Sequence, residues 1–300
     1  MNDETNLLEI RDLAKRYDGF ELAGVSLAVP AGSVVGFIGE NGAGKTTTIK
    51  ALLGLIRPDA GSIALFGEET VGAPDARLAQ LKQDIGVVFD TCALPEELPV
   101  RTVGHIMRSA YRAWDDDLFA HYLSTLSLPT DKTVKDLSRG MGMKLSLACA
   151  LAHRPRLLVL DEATAGLDPI AREEALDLLR AFVAEGDGGR GILMSSHITS
   201  DLEKIADYIV CIERGRVAFS IEKDLITDQA GIAQCRSAEF AALAESGLFA
   251  PGAVRFEHHA YGIAALVPDR FAFAERFPHV AVERASIDAY MNLMLKGEAL

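Results

Sequence analysis

Apolar residues fall along this chain in two rhythms: short continuous blocks, and stripes at helical spacing. The block at residues 33–38, Ser-Val-Val-Gly-Phe-Ile, holds β-branched and aromatic residues and predicts a buried strand. Blocks at 86–88, 157–160 and 191–194 predict three more. Leu7 to Tyr17, Val25 to Val29 and Ser62 to Phe66 predict further strands, with a Pro30-Ala-Gly32 turn between two of them. Thr47 to Leu55 reads as a helix. Val103, Ile106, Met107, Ala110, Tyr111 and Trp114 recur at helical spacing, which reads as the core of a helical subdomain spanning about 91–155. Another helix begins at Pro169 and presents Ala175, Leu176, Leu178, Leu179 and Phe182 on one face. Glu213-Arg-Gly-Arg216 predicts a hairpin turn.

From residue 219 the pattern changes. It predicts a strand at Ile232–Arg236, a helix at Ala238–Ser246, and strands at Ala253–His258 and Gly262–Val267. A helix at Phe271–Phe277 and a strand at Val280–Arg284 come next. The order βαββαβ suits a small ferredoxin-like module. An amphipathic helix from Ser286 closes the sequence. The expected division is 1–218 and 219–300, the latter an accessory α+β region.

Composition narrows the choice of function. Thirty basic residues stand against 43 acidic ones, a net charge of −13. That balance argues against a nucleic-acid partner, whose binding needs basic patches to displace counterions. The acidic, polar start Met-Asn-Asp-Glu-Thr-Asn is no signal peptide. No run approaches the ~18 apolar residues of a membrane span. Cys92, Cys149, Cys211 and Cys235 lie far apart, as small buried residues of a reducing compartment do. A cytosolic location is expected.

The strand at 33–38 runs straight into Gly39-Glu-Asn-Gly-Ala-Gly-Lys45-Thr46, and then a helix. Strand, glycine-rich loop and helix together are the context a P-loop requires. Gly39, Gly42 and Gly44 lack side chains, so backbone N–H groups can wrap a phosphate chain closely, and Asn41, Ala43 and Thr47 join them as nucleotide-binding residues. The helix aims its positive end at the same anion. Lys45 neutralises the β- and γ-phosphates, and the Thr46 hydroxyl is a Mg²⁺ ligand. Downstream, Arg156-Leu-Leu-Val-Leu-Asp161-Glu162 is an apolar strand ending in two acids. Strand alternation points them opposite ways, so Asp161 suits the Mg²⁺ shell and Glu162 suits polarisation of the attacking water. A third carboxylate, Asp90, comes after the strand at 86–88.

Between these elements lies Leu137-Ser138-Arg139-Gly140-Met141, opening a helix for which Ser138 is a good N-cap. Here the chain resembles the ATP-binding subunits of ABC transporters, whose signature segment reads Leu-Ser-Gly-Gly-Gln. Ala165-Gly-Leu-Asp168 resembles their D-loop, His197 their switch histidine, and Tyr17 the aromatic that stacks on adenine. The resemblance covers roughly residues 7–218. It implies an α/β fold: a P-loop NTPase core with an antiparallel β-subdomain and a helical signature subdomain. Arg139 and Met141 depart from the signature in the manner of subunits serving ABC-2 exporters. Asp90 stands where the family has its Q-loop glutamine, a Mg²⁺ and γ-phosphate sensor.

The resemblance further implies an ATP-hydrolysing motor for an exporter. Glu162, His197 and Lys45 would be catalytic. ATP would lie on the P-loop, with Tyr17 on the base, while Ser138, Gly140 and Asp168 act from a facing second subunit, identical or not. Mg²⁺ would be held by Thr46, Asp90 and Asp161. The partner would be an ABC-2-type permease on a separate chain, which would keep this one on the inner face of the membrane. The alternative is a soluble member of the family that uses ATP-dependent dimerisation in a regulatory, ribosomal or DNA role.

Overall fold

The computed structural model describes residues 6–260 and 262–300; the polar N-terminal residues 1–5 lie outside the described residues. The chain divides into two compact units. One takes residues up to 198 together with 212–217. The other takes 199–211 together with 218–300.

In the first unit, four parallel strands lie side by side in the order Ile85–Val88, Leu157–Asp161, Gly191–Ser195, Val34–Ile38. The last three are buried at every residue, which is why their sequences are apolar without alternation. The register pairs Asp161 with Ser195 and Phe37 with Ser195. Their carboxyl ends therefore finish at one edge, where open α/β sheets gather ligands.

A separate antiparallel sheet runs in the order Phe20–Pro30, Asn6–Tyr17, Ala60–Leu65, Glu68–Glu69. A helical subdomain surrounds a core of Val103, Phe119, Leu123, Leu145 and Cys149. Of the stripe from Val103 to Trp114, Val103 lies in this core and Met107 and Trp114 pack against it. The helix is Val100–Ala110, and Ile106 is exposed. Its end is set from outside: the Gln83 amide donates to the Ala110 carbonyl at 3.0 Å and accepts from Arg112 N at 2.9 Å. Trp114 then packs on Phe119, with ring centroids 5.1 Å apart. Of the four cysteines only Cys92 is not buried. A Cβ placed on Gly142, in the helix Arg139–Ala152, would stand 3.2 Å from the Cys92 Cβ.

The second unit holds an antiparallel sheet in the order Val282–Arg284, Gly231–Cys235, Gly262–Val267, Arg255–His259, with the short strand Glu298–Ala299 at its edge. Helices Ser237–Glu245 and Arg270–Arg276 interrupt the strands. Numbering the first four by sequence gives the spatial order 4-1-3-2 with βαββαβ connectivity, that of a ferredoxin-like module. Asp269 caps the second helix by accepting from Phe271 N and Ala272 N. The helix Thr199–Ile205 belongs to this unit. Its Glu203 accepts a hydrogen bond at 2.9 Å from Ile287 N, at the start of the helix Ile287–Lys296.

Candidate nucleotide site

At the edge where the strands end, the chain after Ile38 bends through Gly39, Gly42 and Gly44, all with left-handed φ, into the helix Lys45–Leu52. Two of these glycines are doubly constrained. A Cβ on Gly39 would sit 2.2 Å from the Ile212 carbonyl oxygen, and one on Gly44 would sit 2.5 Å from Leu22 Cδ2. Only glycine satisfies both the conformation and the room. The Lys45 ammonium folds back over its own loop, donating to the Gly39 carbonyl at 2.7 Å and the Glu40 carbonyl at 3.3 Å. Its side chain is buried, so the loop wraps a fixed positive charge.

Asp161 is buried and fully engaged. Thr46 Oγ1 donates to its Oδ2 at 3.0 Å, and Ser195 Oγ donates to its Oδ1 at 2.5 Å. Thr46 and Asp161, 115 residues apart in sequence, thus meet as two hard oxygen donors. Glu162 lies on the other side of the strand end. Its φ of 56° is left-handed, a strained state for a non-glycine residue. Its amide donates to the Ser195 carbonyl at 3.0 Å. Its Oε2 lies 2.5 Å from His197 Nδ1 and accepts from His197 N at 3.3 Å. Backbone and side chain of His197 therefore hold one carboxylate.

Beside these groups opens a cavity of about 510 Å³. It is lined by Gly19, Phe20, Asn41, Gly42, Gly44, Lys45, Thr46, Thr47 and Glu162. Phe20 is the residue that sequence reasoning missed. Tyr17 and Phe20 are cross-strand partners around the tight Asp18-Gly19 turn. Phe20 turns in, its Cζ 3.1 Å from the place a Gly44 Cβ would take. Tyr17 is 44% exposed and does not line the cavity.

Other expected residues are not brought to this cavity. Asp90 is exposed and makes no hydrogen bond or ion pair among the described residues. Ser138 caps its helix, accepting from Met141 N at 3.2 Å, and neither it nor Gly140 lines the cavity. Asp168 caps the helix Pro169–Ala184. The backbone N–H of Ala171, with that of Ile170, holds its carboxyl below the usual range.

Comparison with known proteins agrees with this geometry. The family model described as ABC transporter matches residues 22–165. The Nod factor export ATP-binding protein I of Burkholderia orbicola is 38% identical over 216 residues, covering 70% of this chain and 68% of that protein. A solved ATP-binding subunit of an ABC transporter superposes with a TM-score of 0.67 at 30% identity, covering 73% of this chain and 91% of the other. A dimeric, post-hydrolysis ATP-binding cassette bound to ADP and phosphate shares the fold, with a TM-score of 0.65, 21% identity, and 72% and 98% of the two chains covered. The strand-end loop and carboxylates thus stand in a known family: the chain belongs to the ATP-hydrolysing, ATP-binding subunits of ABC transporters.

Proposed function

We propose that this chain drives export through a separate ABC-2-type membrane permease, as one of two facing cassettes that close on two ATP molecules. The observation that carries this reading is the division of the site. Lys45, Thr46 and Glu162 line one cavity, with Asp161 bonded to Thr46 and His197 bonded to Glu162, while the exposed Ser138 and the half-buried Gly140 of the signature turn stand outside it. A facing copy would bring its Ser138, Gly140 and Asp168 to this cavity and complete both sites at once. Closure would then attend nucleotide binding, and hydrolysis would reopen the pair.

Each residue has a defined task. The P-loop amides and Lys45 hold the phosphates. Phe20 walls the cavity beside Gly44, and Tyr17 is left for the base. Glu162, aimed by His197, polarises the attacking water. The Thr46 hydroxyl and the Asp161 carboxylate fit Mg²⁺, which supplies charge neutralisation of the phosphates when bound. Asp90, at the end of the adjacent strand, would reach that ion through water.

Among the described residues no helix is long and apolar enough to cross a membrane, so movement of a cargo calls for a spanning partner. A shallow cleft of about 100 Å³ has room for one apolar side chain of a segment docking from that partner. Phe89, Thr91, Leu94, Met107 and Tyr111 line it beside the helix Val100–Ala110. It would place the chain at the inner face of the membrane. The export direction is supported by the Nod factor relative, an export ATP-binding protein. The test is affinity purification of the tagged chain from its native membrane. Recovery of a polytopic membrane protein, with ATPase activity that rises when the two are reconstituted together, is expected. Purification as a soluble protein only, bound to ribosomes or DNA, would refute the reading.

A further inference from the structure

The departure at the signature turn bears on one residue of the D-loop. Where the family pattern carries glycine, this chain has Arg139. The Arg139 side chain lies flat on Gly166. A Cβ on Gly166 would stand 2.9 Å from Arg139 Nε and 3.2 Å from its Cδ and Cγ. Gly166 is not left-handed, so a Cβ there would be opposed by the stem of the exposed Arg139 and not by backbone conformation. The next residue reinforces the contact: a Cβ on Gly140 would meet the Gly166 carbonyl oxygen at 3.4 Å. Two consecutive residues of the signature turn thus straddle one residue of the D-loop.

On its other side the D-loop is tied to Glu162. Ala165 N donates to the Glu162 carbonyl at 3.2 Å, and Leu167 N donates to the Thr164 carbonyl at 3.1 Å. The run from Glu162 to Gly166 is therefore a tight turn rather than a slack connection. The Arg139 guanidinium makes no hydrogen bond or ion pair among the described residues. Its hold on Gly166 is contact by the stem and Nε, the kind of apolar cover that arginine methylenes provide.

We propose that Arg139 is a positioning residue that clamps Gly166 to the signature turn. The turn, which serves the nucleotide of a facing copy, and Glu162, which serves the chain's own nucleotide, then shift as one body. The clamp couples the two ATP sites of a closed pair within each chain. This inference rests on the two-cassette reading under Proposed function.

A double-mutant cycle tests it. Wild type, Arg139→Gly, Gly166→Ala and the double variant are compared in ATP turnover across ATP concentration and in thermal unfolding midpoint. Arg139→Gly is expected to bring the Hill coefficient down to about 1, the value for uncoupled sites. Gly166→Ala, pushing against the intact arginine, slows turnover several-fold. The double variant, relieved of that collision, returns to within about twofold of Arg139→Gly alone, the margin within which independent effects add. Arg139→Met, which keeps a stem and removes the charge, retains the cooperativity. Two outcomes overturn the clamp: rates in the cycle that simply multiply, or a methionine variant as uncoupled as the glycine one. Size-exclusion chromatography of Glu162→Gln with ATP separates the two levels. A monomer there refutes the two-cassette reading and the clamp with it, whereas a dimer with a multiplicative cycle refutes the clamp alone.

Discussion

Replacing Glu162 by glutamine removes one function from the site and leaves its shape. Glu162 Oε2 lies 2.5 Å from His197 Nδ1 and 3.3 Å from His197 N. A glutamine carbonyl oxygen in the same place accepts the same two bonds, so the side chain stays aimed. The amide cannot take a proton from water. Loss of a general base typically costs about 10²- to 10⁴-fold, and at ~1.4 kcal/mol per decade the barrier rises by about 3 to 5 kcal/mol. Lys45, with its two carbonyl partners, and Thr46 on Asp161 are untouched. ATP affinity should therefore stay within about threefold of wild type, because none of the phosphate-holding groups moves. The assays are steady-state phosphate release and calorimetric titration with ATP. A variant that still turns over within tenfold of wild type would refute the assignment of Glu162 as the base. Affinity falling as far as the rate would instead mean that this carboxylate holds the ligand.

Three other substitutions have equally definite outcomes. Lys45→Ala should abolish measurable ATP binding and turnover, since it deletes the buried cation around which the loop is wrapped; undiminished binding in calorimetry would refute the placement of the phosphates. Asp90→Asn should change the ratio of ATP affinities with and without Mg²⁺, with the wild type the more metal-dependent; an unchanged ratio would leave Asp90 as a surface residue of the strand end. His153 is buried, its ring stacked on Tyr111 at 3.8 Å and its nitrogens on the Ile85 and Cys149 carbonyls, and burial holds its pKa below the ordinary 6.5. The unfolded chain takes up a proton there before the folded chain does, so stability is full above about pH 6.5 and falls as pH drops below it. Midpoints measured from about pH 8 to pH 5 should show a shallower acid loss in His153→Gln, and an equal slope in both proteins would refute this origin.

The parts of the site that read directly from sequence are those made by one strand and the turn after it. Gly39 to Thr46 and Asp161-Glu162 are of this kind, because local context fixes where their side chains emerge. What was not legible depends on contacts between distant segments. Nothing near Tyr17 tells which of two aromatics around a turn faces the P-loop. That is decided by Gly44 passing beneath Phe20. Where the helix Val100–Ala110 ends could not be read from its own residues: Gln83, 27 residues away, donates to its last carbonyl. The grouping of Thr199–Cys211 with the C-terminal residues rests on bonds such as Glu203 to Ile287, 84 residues apart. In the C-terminal region the alternation of strands and helices sufficed, and elements lie within about two residues of their expected bounds, the usual fraying of such ends.

The arrangement of cysteines has a practical use. Burial pushes the Cys149 thiol up, raises Cys235 to about 11, and encloses Cys211, so all three resist alkylation at neutral pH. Cys92 alone is only partly buried, and it lies against Gly142 on the helix Arg139–Ala152. The unmodified chain therefore carries a single attachment point for a maleimide dye. A fluorophore there would report movement between the segment after Asp90 and the signature helix in real time, without engineering a cysteine-free background.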